Sequence, residues 1–375
     1  MRILILNIDY PGFLRSLHAE HDGLAGRSYE EQLRARNETL FGVADFYSGN
    51  LRALGHEAYD LHVNNESLQR AWAREHGVKV QHVSGDRWQL RMRRKVIPWV
   101  SRLPDLRWMY EILAAQIRHY RPDVILNQVL DAISGQFLRE MKEHTRLLVG
   151  QFASPLPEDA DMSMYDLFIS SLPNFVDRFR RAGIPSELNR LAFEPRILQA
   201  VPSRERIYPI SFVGSISRHH DERGTLMEGL CREFDISIFG QGVERLPADS
   251  LIRKRHGGPA WGRGMYEILA SSKIALNHHI AIAGPYANNM RLYEATGMGA
   301  MLLTDWKENL HEIFEPGREV AAYRTHDECF EMIRHYLDHE DERRAIAGAG
   351  QERTLREHTY LNRMAEFAEI AGRYL

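Results

Sequence analysis

Apolar residues in this chain fall into short continuous runs that alternate with longer segments of helical spacing. RILILNI, from Arg2 to Ile8, is apolar at nearly every position, the pattern of a strand buried on both faces of a parallel sheet. A polar loop is expected next, over YPGFLRSLHAEHDGLAGR. In SYEEQLRARNETLFGVADFYSGNLRALG, Leu33, Leu40, Val43, Ala44, Tyr47, Leu51 and Leu54 recur at helical spacing, which predicts one helix ending at Gly55. HEAYDLHV reads as a strand, NESLQRAWAREHG as a helix, and VQHVSGDRWQLRMR as two short strands about Ser84, Gly85 and Asp86. RWMYEILAAQIRHYRPDVILNQ gives a helix, a proline break and a strand. LLVGQF and DLFISS add two strands, and NFVDRFRRAGI a helix. Such alternation predicts a parallel α/β sheet.

Between Leu191 and Ile207 the periodicity fades and two prolines appear, and then YPISFVGS starts the pattern afresh. SFVG, DISIFG, KIALNHH and AMLLTD read as strands, interleaved with the helical segments GMYEILASS and HDECFEMIRHYLDH. The closing stretch, from DERRAIAGAG to the end, reads as one or two amphipathic helices with no strand after them. The expected division is a first domain over 1–200, a second over 201–357, and a terminal helical segment over 358–375.

Composition narrows the functional classes. A chain of 375 residues, 44 % hydrophobic, is long enough for two ordinary domains, each with its own core. A net charge of -3 gives no global basic field, which argues against nucleic acid as a partner. Cys231 and Cys329 are the only cysteines and neither sits in a CxxC pair, so neither a disulfide framework nor a zinc-thiolate site is expected. The N-terminal MRILILNIDYPG has no small-residue cleavage site, and no window approaches the roughly 18 apolar residues of a membrane span. A cytoplasmic protein, soluble or at most peripheral, is expected. The basic cluster RMRRK (91–95), flanked by Trp88, Trp99 and Trp108, could rest on an anionic membrane surface or grip an acidic, lipid-linked acceptor. A solvated hairpin with core-facing tryptophans is the plainer reading.

The most informative stretch chemically is NNMRLYEATGMGAMLLTD, from Asn288 to Asp305. It reads as a helix capped by Asn288 or Asn289 and stopped at Gly297 or Gly299, followed by a buried strand. Arg291 and Glu294 then lie three residues apart on one face. The start of such a helix favours anions, phosphate above all. A carboxylate one turn further in cannot hold phosphate, but its two oxygens can accept hydrogen bonds from neighbouring hydroxyls such as a ribose 2′,3′-diol. Alternatively, Glu294 only pairs with Arg291 and caps the helix.

YEATGMGAMLLTD resembles the helix–glycine–strand element of nucleotide-sugar glycosyltransferases of the GT-B fold. The second half looks like the CgeB-like glycosyltransferase family. The stretches that carry the resemblance are FVGS (212–215), FGQG (239–242), MYEILASSKIALNHH (265–279), LHEIFEPGREVAAY (310–323) and AIAGAGQERTLREHTYLNRM (345–364). The resemblance implies an α/β protein of two facing Rossmann-like domains with parallel sheets and an interdomain cleft, the last helix crossing back to the first domain. It implies a nucleoside diphosphate sugar as donor, a UDP-sugar being expected, with Glu294 on its ribose. The loop GSISRHHDER should run beside the diphosphate. There Gly214 lets the backbone approach, Ser215 donates, and Arg218 or Arg223 neutralises charge.

Gly240 and Gln241 end a strand, where ligands of open α/β sheets gather, and are expected to line the base or ribose pocket. His279, at the end of another strand and sharing a direction with Asn277, is a candidate donor contact. Many retaining members of the wider fold carry a second acid eight residues before the ribose glutamate; here Tyr286 stands there, and retention is nevertheless favoured. His219 and His220 are adjacent and would point apart, so no metal and no cofactor are expected. The acceptor's general base should come from the first domain, with Asp9, His18, Asp22 and Asp131 as candidates and the acceptor itself unidentified.

Two rivals share parts of this pattern. A sugar-nucleotide epimerase or hydrolase would use the same nucleotide pocket, and a non-catalytic protein could keep the fold and bind a partner. A Rossmann dehydrogenase fits poorly, because NIDYPGFLR lacks the GxGxxG spacing.

Overall fold

A computed structural model of the protein describes residues 1–93, 97–153, 162–216, 221–280 and 284–375, with side chains described for the same residues except 87–103, 221 and 222. The strands of the first half are β1 (Arg2–Asn7), β2 (Glu57–His62), β3 (Asp86–Arg93), β4 (Ile97–Pro104), β5 (Val124–Asn127), β6 (Leu147–Gln151), β7 (Leu167–Ser170) and β8 (Ser186–Leu188). Six of them form one parallel sheet in the order β2-β1-β5-β6-β7-β8, and β3 and β4 form a separate antiparallel hairpin. The second half gives β9 (Tyr208–Val213), β10 (Ile236–Phe239), β11 (Ser272–Leu276), β12 (Met301–Asp305) and β13 (Ala321–Tyr323), a parallel sheet in the order β10-β9-β11-β12-β13.

The continuous apolar run of β1 is explained by its two buried faces. Ile3 and Ile5 pack on one side with Tyr47, Leu51 and Phe367, and Leu4 and Leu6 on the other with Trp72 and Ile112. The second sheet is also two-faced. Ile274, Leu276 and Leu303 meet the helices Asp221–Glu233 and His326–Asp338, while Ala275 and Leu302 face the first domain. One core runs through both halves. It joins Ile5 and Val149 of the first sheet to Ala275 and Leu302 of the second through four intervening helices: Phe46–Ala53, Gly262–Ala270, Arg291–Gly297 and Tyr360–Tyr374.

Three elements differ from the sequence expectation. The supposed loop after β1 contains the helix Pro11–Glu20, started by proline at its first position and held by Phe13 and Leu17, four residues apart, against Leu24 and Phe41. Its sparse apolar content hid it. The single helix expected over 28–55 is two, Tyr29–Glu38 and Phe46–Ala53. The chain between them turns through left-handed conformations at Leu40 (φ 59°), Gly42 (φ 62°) and Ala44 (φ 39°), which no helix can include. The hairpin is displaced as well: Asp86 pairs with Pro104 and Arg93 with Ile97, so residues 84–86 sit at its open end, where Asp105 N–H donates to Gly85 O at 2.7 Å.

The chain crosses between the halves twice, at adjacent places. Phe193 N–H donates to His358 O at 2.8 Å, and Tyr360 N–H donates to Phe193 O at 3.0 Å, a parallel bridge between the outgoing and the returning segments. Thr359 caps the last helix by accepting from Asn362 N–H at 3.3 Å. That helix lies on Phe46–Ala53, with the Tyr360 ring 5.2 Å from Phe46 and 5.5 Å from Tyr47. The Phe193 ring occupies the space beside Gly297, where a Cβ would stand 2.4 Å from it, so only glycine admits this contact.

Candidate functional site

The carboxyl ends of β9, β10, β11 and β12 gather the side chains of interest. β9 runs into Gly214 and β10 into Gly240, and the two loops touch backbone to backbone. Gly240 has φ +136°, and a Cβ there would lie 2.1 Å from Gly214 O. Any other residue would push the loops apart. Gly214 N–H donates to Phe239 O at 3.0 Å, Ile216 N–H to Gln241 O at 2.8 Å, and the His256 ring, through Nε2, meets Gly240 O at 2.8 Å. Ser215, Gly240 and Gln241 thereby line one cavity of about 520 Å³, together with Arg245, His256 and Pro259.

Arg291 and Glu294 open the short helix Arg291–Gly297 beside this cavity's strands. Asn289 stands one residue before the helix's N-cap, Met290, and its Oδ1 accepts from Leu292 N–H at 3.2 Å; Asn288, half-buried, precedes it. Arg291 Nε donates to Val213 O at 3.1 Å and Nη1 donates to Glu294 Oε2 at 2.7 Å. The pair is nearly enclosed, with side-chain exposures of 14 % and 6 %. Among the described residues the other carboxylate oxygen, Oε1, accepts only a long 3.4 Å bond from Tyr266 OH. Burial, and then the charge of Glu294, push the Tyr266 hydroxyl well above its ordinary pKa, so it keeps its proton and donates.

His279 and Asn277 continue from β11 toward the same helix. Asn277 Nδ2 donates to Thr304 Oγ1 at 2.9 Å, and Asn289 Nδ2 donates to Asn277 Oδ1 at 2.7 Å, which ties the strand end to the helix start. Asp305, at the end of β12, accepts from His279 N–H at 2.9 Å and from its Nδ1 at 2.7 Å, with Lys307 Nζ 3.3 Å from its other oxygen. Burial opposes ionisation of Asp305, but these bonds and the histidine charge outweigh it and hold the carboxyl below its usual range. Behind it, Arg223 is buried, bonded to His278 O and, at 3.2 Å, to Ser215 O, with its pKa lowered by burial. Arg223 therefore braces the loop from beneath. Arg218 and the pair His219 and His220 lie outside the described residues, as does part of the cluster Arg91 to Lys95.

The candidate bases of the first domain are not brought together. Asp9 is 1 % exposed, with Oδ1 accepting from Arg36 Nη2 at 2.8 Å and Nε at 3.2 Å, and Oδ2 from Asn65 Nδ2 at 3.2 Å. Burial raises its pKa, but the fields of His62 and Arg36 and these bonds lower it further, leaving an ionised carboxylate fully committed to protein partners. His18, half-buried, meets Ser67 Oγ at 3.3 Å, and Asp22 and Asp131 are exposed in loops. Trp108 is buried, with the Arg70 guanidinium 5.5 Å from its ring centre.

The two halves also meet at an aromatic seam. Phe41 lies 5.1 Å from Trp261, 5.8 Å from Tyr10 and 4.3 Å from Phe13, and Arg263 N–H donates to Thr39 O at 2.8 Å. A Cβ on Gly12 would stand 3.6 Å from Gln241 Nε2, so the start of the helix Pro11–Glu20 lies against a residue that lines the cavity at β10. Asp305, Tyr266, Arg36 and His62 were not singled out by sequence. The signal for Asp305 was an acid ending one buried strand while the preceding strand ended in histidines; for His62, a polar residue sharing a strand face with Asp60.

These features define the class: two parallel-sheet α/β domains of the GT-B type, as in solved glycosyltransferase structures. Sucrose-phosphate synthase from Thermosynechococcus elongatus superposes with a TM-score of 0.59 at 10 % identity, covering 100 % of this chain and 98 % of that one. Anabaena HepE, solved in complex with UDP-glucose, gives a TM-score of 0.57 at 12 % identity with 100 % of both chains covered. AviGT4, a glycosyltransferase involved in avilamycin A biosynthesis, gives 0.55 at 15 % identity, covering 100 % of this chain and 98 % of that one. Comparison with curated proteins gives no significant match. Within the chain, residues 221–369 match the family described as glycosyl transferase-like. Among the described residues no group of three or more His, Cys, Asp or Glu side chains is arranged to hold a metal, and no helix is long and apolar enough to cross a membrane.

Proposed function

We propose that this protein is a glycosyltransferase that takes a sugar from a nucleoside diphosphate sugar, a UDP-sugar by preference, and transfers it to an acceptor held by the first domain. The observation that carries the reading is the Arg291–Glu294 pair, enclosed at the carboxyl end of β9 in a segment that matches the glycosyl transferase-like family. HepE, of similar fold, was solved with UDP-glucose, which supports the choice of donor. The under-engaged Glu294 Oε1 is the atom we assign to the ribose diol, which would replace the long Tyr266 contact. The cavity lined by Ser215, Gly240 and Gln241 takes the rest of the nucleotide.

In this reading negative charge gathers on the leaving diphosphate, and fixed N–H dipoles with the Arg291 guanidinium stabilise it without a metal ion. Two of the five N–H groups of Arg291 make the bonds described, and the others are available by chemistry to an anion. Closure of the seam between Phe41 and Trp261 excludes water that would hydrolyse the donor. With Asp9 committed to Arg36, His18, Asp22 and Asp131 are the remaining first-domain candidates for the acceptor base. Retention of configuration, CgeB-like membership and a cytoplasmic setting belong to the same proposal.

Glu294→Ala is expected to weaken donor binding by about 1–3 kcal/mol, the range for a lost charged hydrogen-bonding partner. Titration calorimetry with a panel of nucleotide sugars measures it, and unchanged affinity for every donor that binds would sink the assignment. Product analysis with and without acceptors then separates transfer from epimerisation or hydrolysis.

A further inference from the structure

We infer that His279, held by Asp305, reads a hydroxyl group on the sugar of the donor. This deepens the nucleotide-sugar reading and rests on it. A carboxylate only accepts hydrogen bonds, and Asp305 Oδ1 lies 2.9 Å from the backbone N–H of His279 and 2.7 Å from its Nδ1, so Nδ1 carries a hydrogen. In the tautomer whose single hydrogen is on Nδ1, the ring presents Nε2 as an acceptor. The residue is 4 % exposed, and Nε2 has no hydrogen-bond partner among the described residues. Buried polar atoms of native proteins are nearly always paired, and one left bare beside a ligand-binding strand end points to a partner from outside the chain.

Placement selects that partner. His279 stands three residues beyond the end of β11, at the carboxyl edge of the sheet, with its ring held by Asp305 at the end of β12. Asn277, two residues before His279, is bonded to Asn289, whose side chain also accepts from Leu292 N–H at the start of the helix that carries Glu294. A lone-pair acceptor repels phosphate oxygens, which at neutral pH have no proton to give, and welcomes a hydroxyl. The ribose hydroxyls are assigned to Glu294, which leaves a hydroxyl of the transferred sugar. Asp305 does not touch substrate. It is a positioning residue that fixes the ring's tautomer and direction.

The test compares UDP with UDP-glucose, UDP-galactose and UDP-N-acetylglucosamine on the full chain, by titration calorimetry. His279→Asn keeps an amide N–H near Asp305 but removes the atom at the Nε2 position; His279→Gln places an amide oxygen near that position. For the sugar nucleotide the wild type prefers, His279→Asn should lose about tenfold in affinity, the worth of one hydrogen bond, while UDP itself binds as before. Gln should recover part of the loss, and Asp305→Asn should fall between the two. Thermal melting shows that each variant is folded. Equal weakening of UDP and UDP-sugar would overturn the inference, because Nε2 would then meet the nucleotide; so would unchanged binding of both. A wild type that binds no nucleotide at all would overturn the proposed function, and this inference with it.

Discussion

Arg291→Ala is expected to destabilise the folded protein by about 3–5 kcal/mol, the cost of removing one partner from a buried ion pair, and to abolish measurable donor binding. The guanidinium joins Val213 O to Glu294 Oε2, and its loss leaves a carboxylate of 6 % exposure with, among the described residues, the 3.4 Å contact from Tyr266 alone. Glu294→Ala is milder for stability, because Arg291 keeps Val213 O and is the more exposed partner. The double variant should accordingly be more stable than Arg291→Ala alone. Denaturant unfolding of the two single variants and the double variant measures this; a double variant no more stable than Arg291→Ala would mean that Glu294 is not stranded by the loss of its partner.

Acid sensitivity is the second large effect. His62 is fully buried 3.4 Å from Asp9, and burial, with the Arg36 guanidinium adding to it, pushes its pKa from 6.5 down to about 3. The unfolded chain therefore binds the His62 proton first. The stability this group contributes is present above pH 6.5 and is lost as pH falls toward 3, about 5 kcal/mol over the whole span and about 2 kcal/mol between pH 7.5 and 5. Asp60, on the same face of β2, works in the opposite sense. Burial raises its pKa from 3.8 to about 6, so its contribution is lost as pH rises through 6 and returns on acidification, about 1 kcal/mol over the same interval. His62→Gln should flatten the fall in stability between pH 7.5 and 5, and Asp60→Asn should steepen it. Denaturant midpoints at the two pH values decide the matter, and parallel behaviour of wild type and both variants would exclude this account.

Much of the architecture was legible from the sequence because burial on both faces writes itself into strands as unbroken apolar runs. RILILNI and YPISFVGS each announce the strand on which a sheet is built. The proximity of Arg291 and Glu294 was legible for the same local reason, since three residues of helix bring two side chains to one face. What escaped depended on distant partners. Nothing near Asp9 in sequence indicates that Arg36, from a helix twenty-seven positions on, neutralises it. Asp305 meets His279 only because β11 and β12 are neighbours in the sheet. The helix Pro11–Glu20 was missed because two apolar side chains suffice where a partner element supplies the rest of the core.

The bridge between Phe193 and Thr359 has a mechanical consequence. Two tethers at opposite edges would let the halves shear; two tethers side by side, laced by a pair of backbone bonds, act as a single axle and leave rotation as the easy motion. Phe193 presses against Gly297, so the helix bearing Glu294 ends on that axle, and its grip would travel little while the loop beyond β1 swings. The amides of Phe193 and Tyr360 should accordingly exchange with deuterium more slowly than that of Arg263, whose bond to Thr39 spans the aromatic seam between the halves.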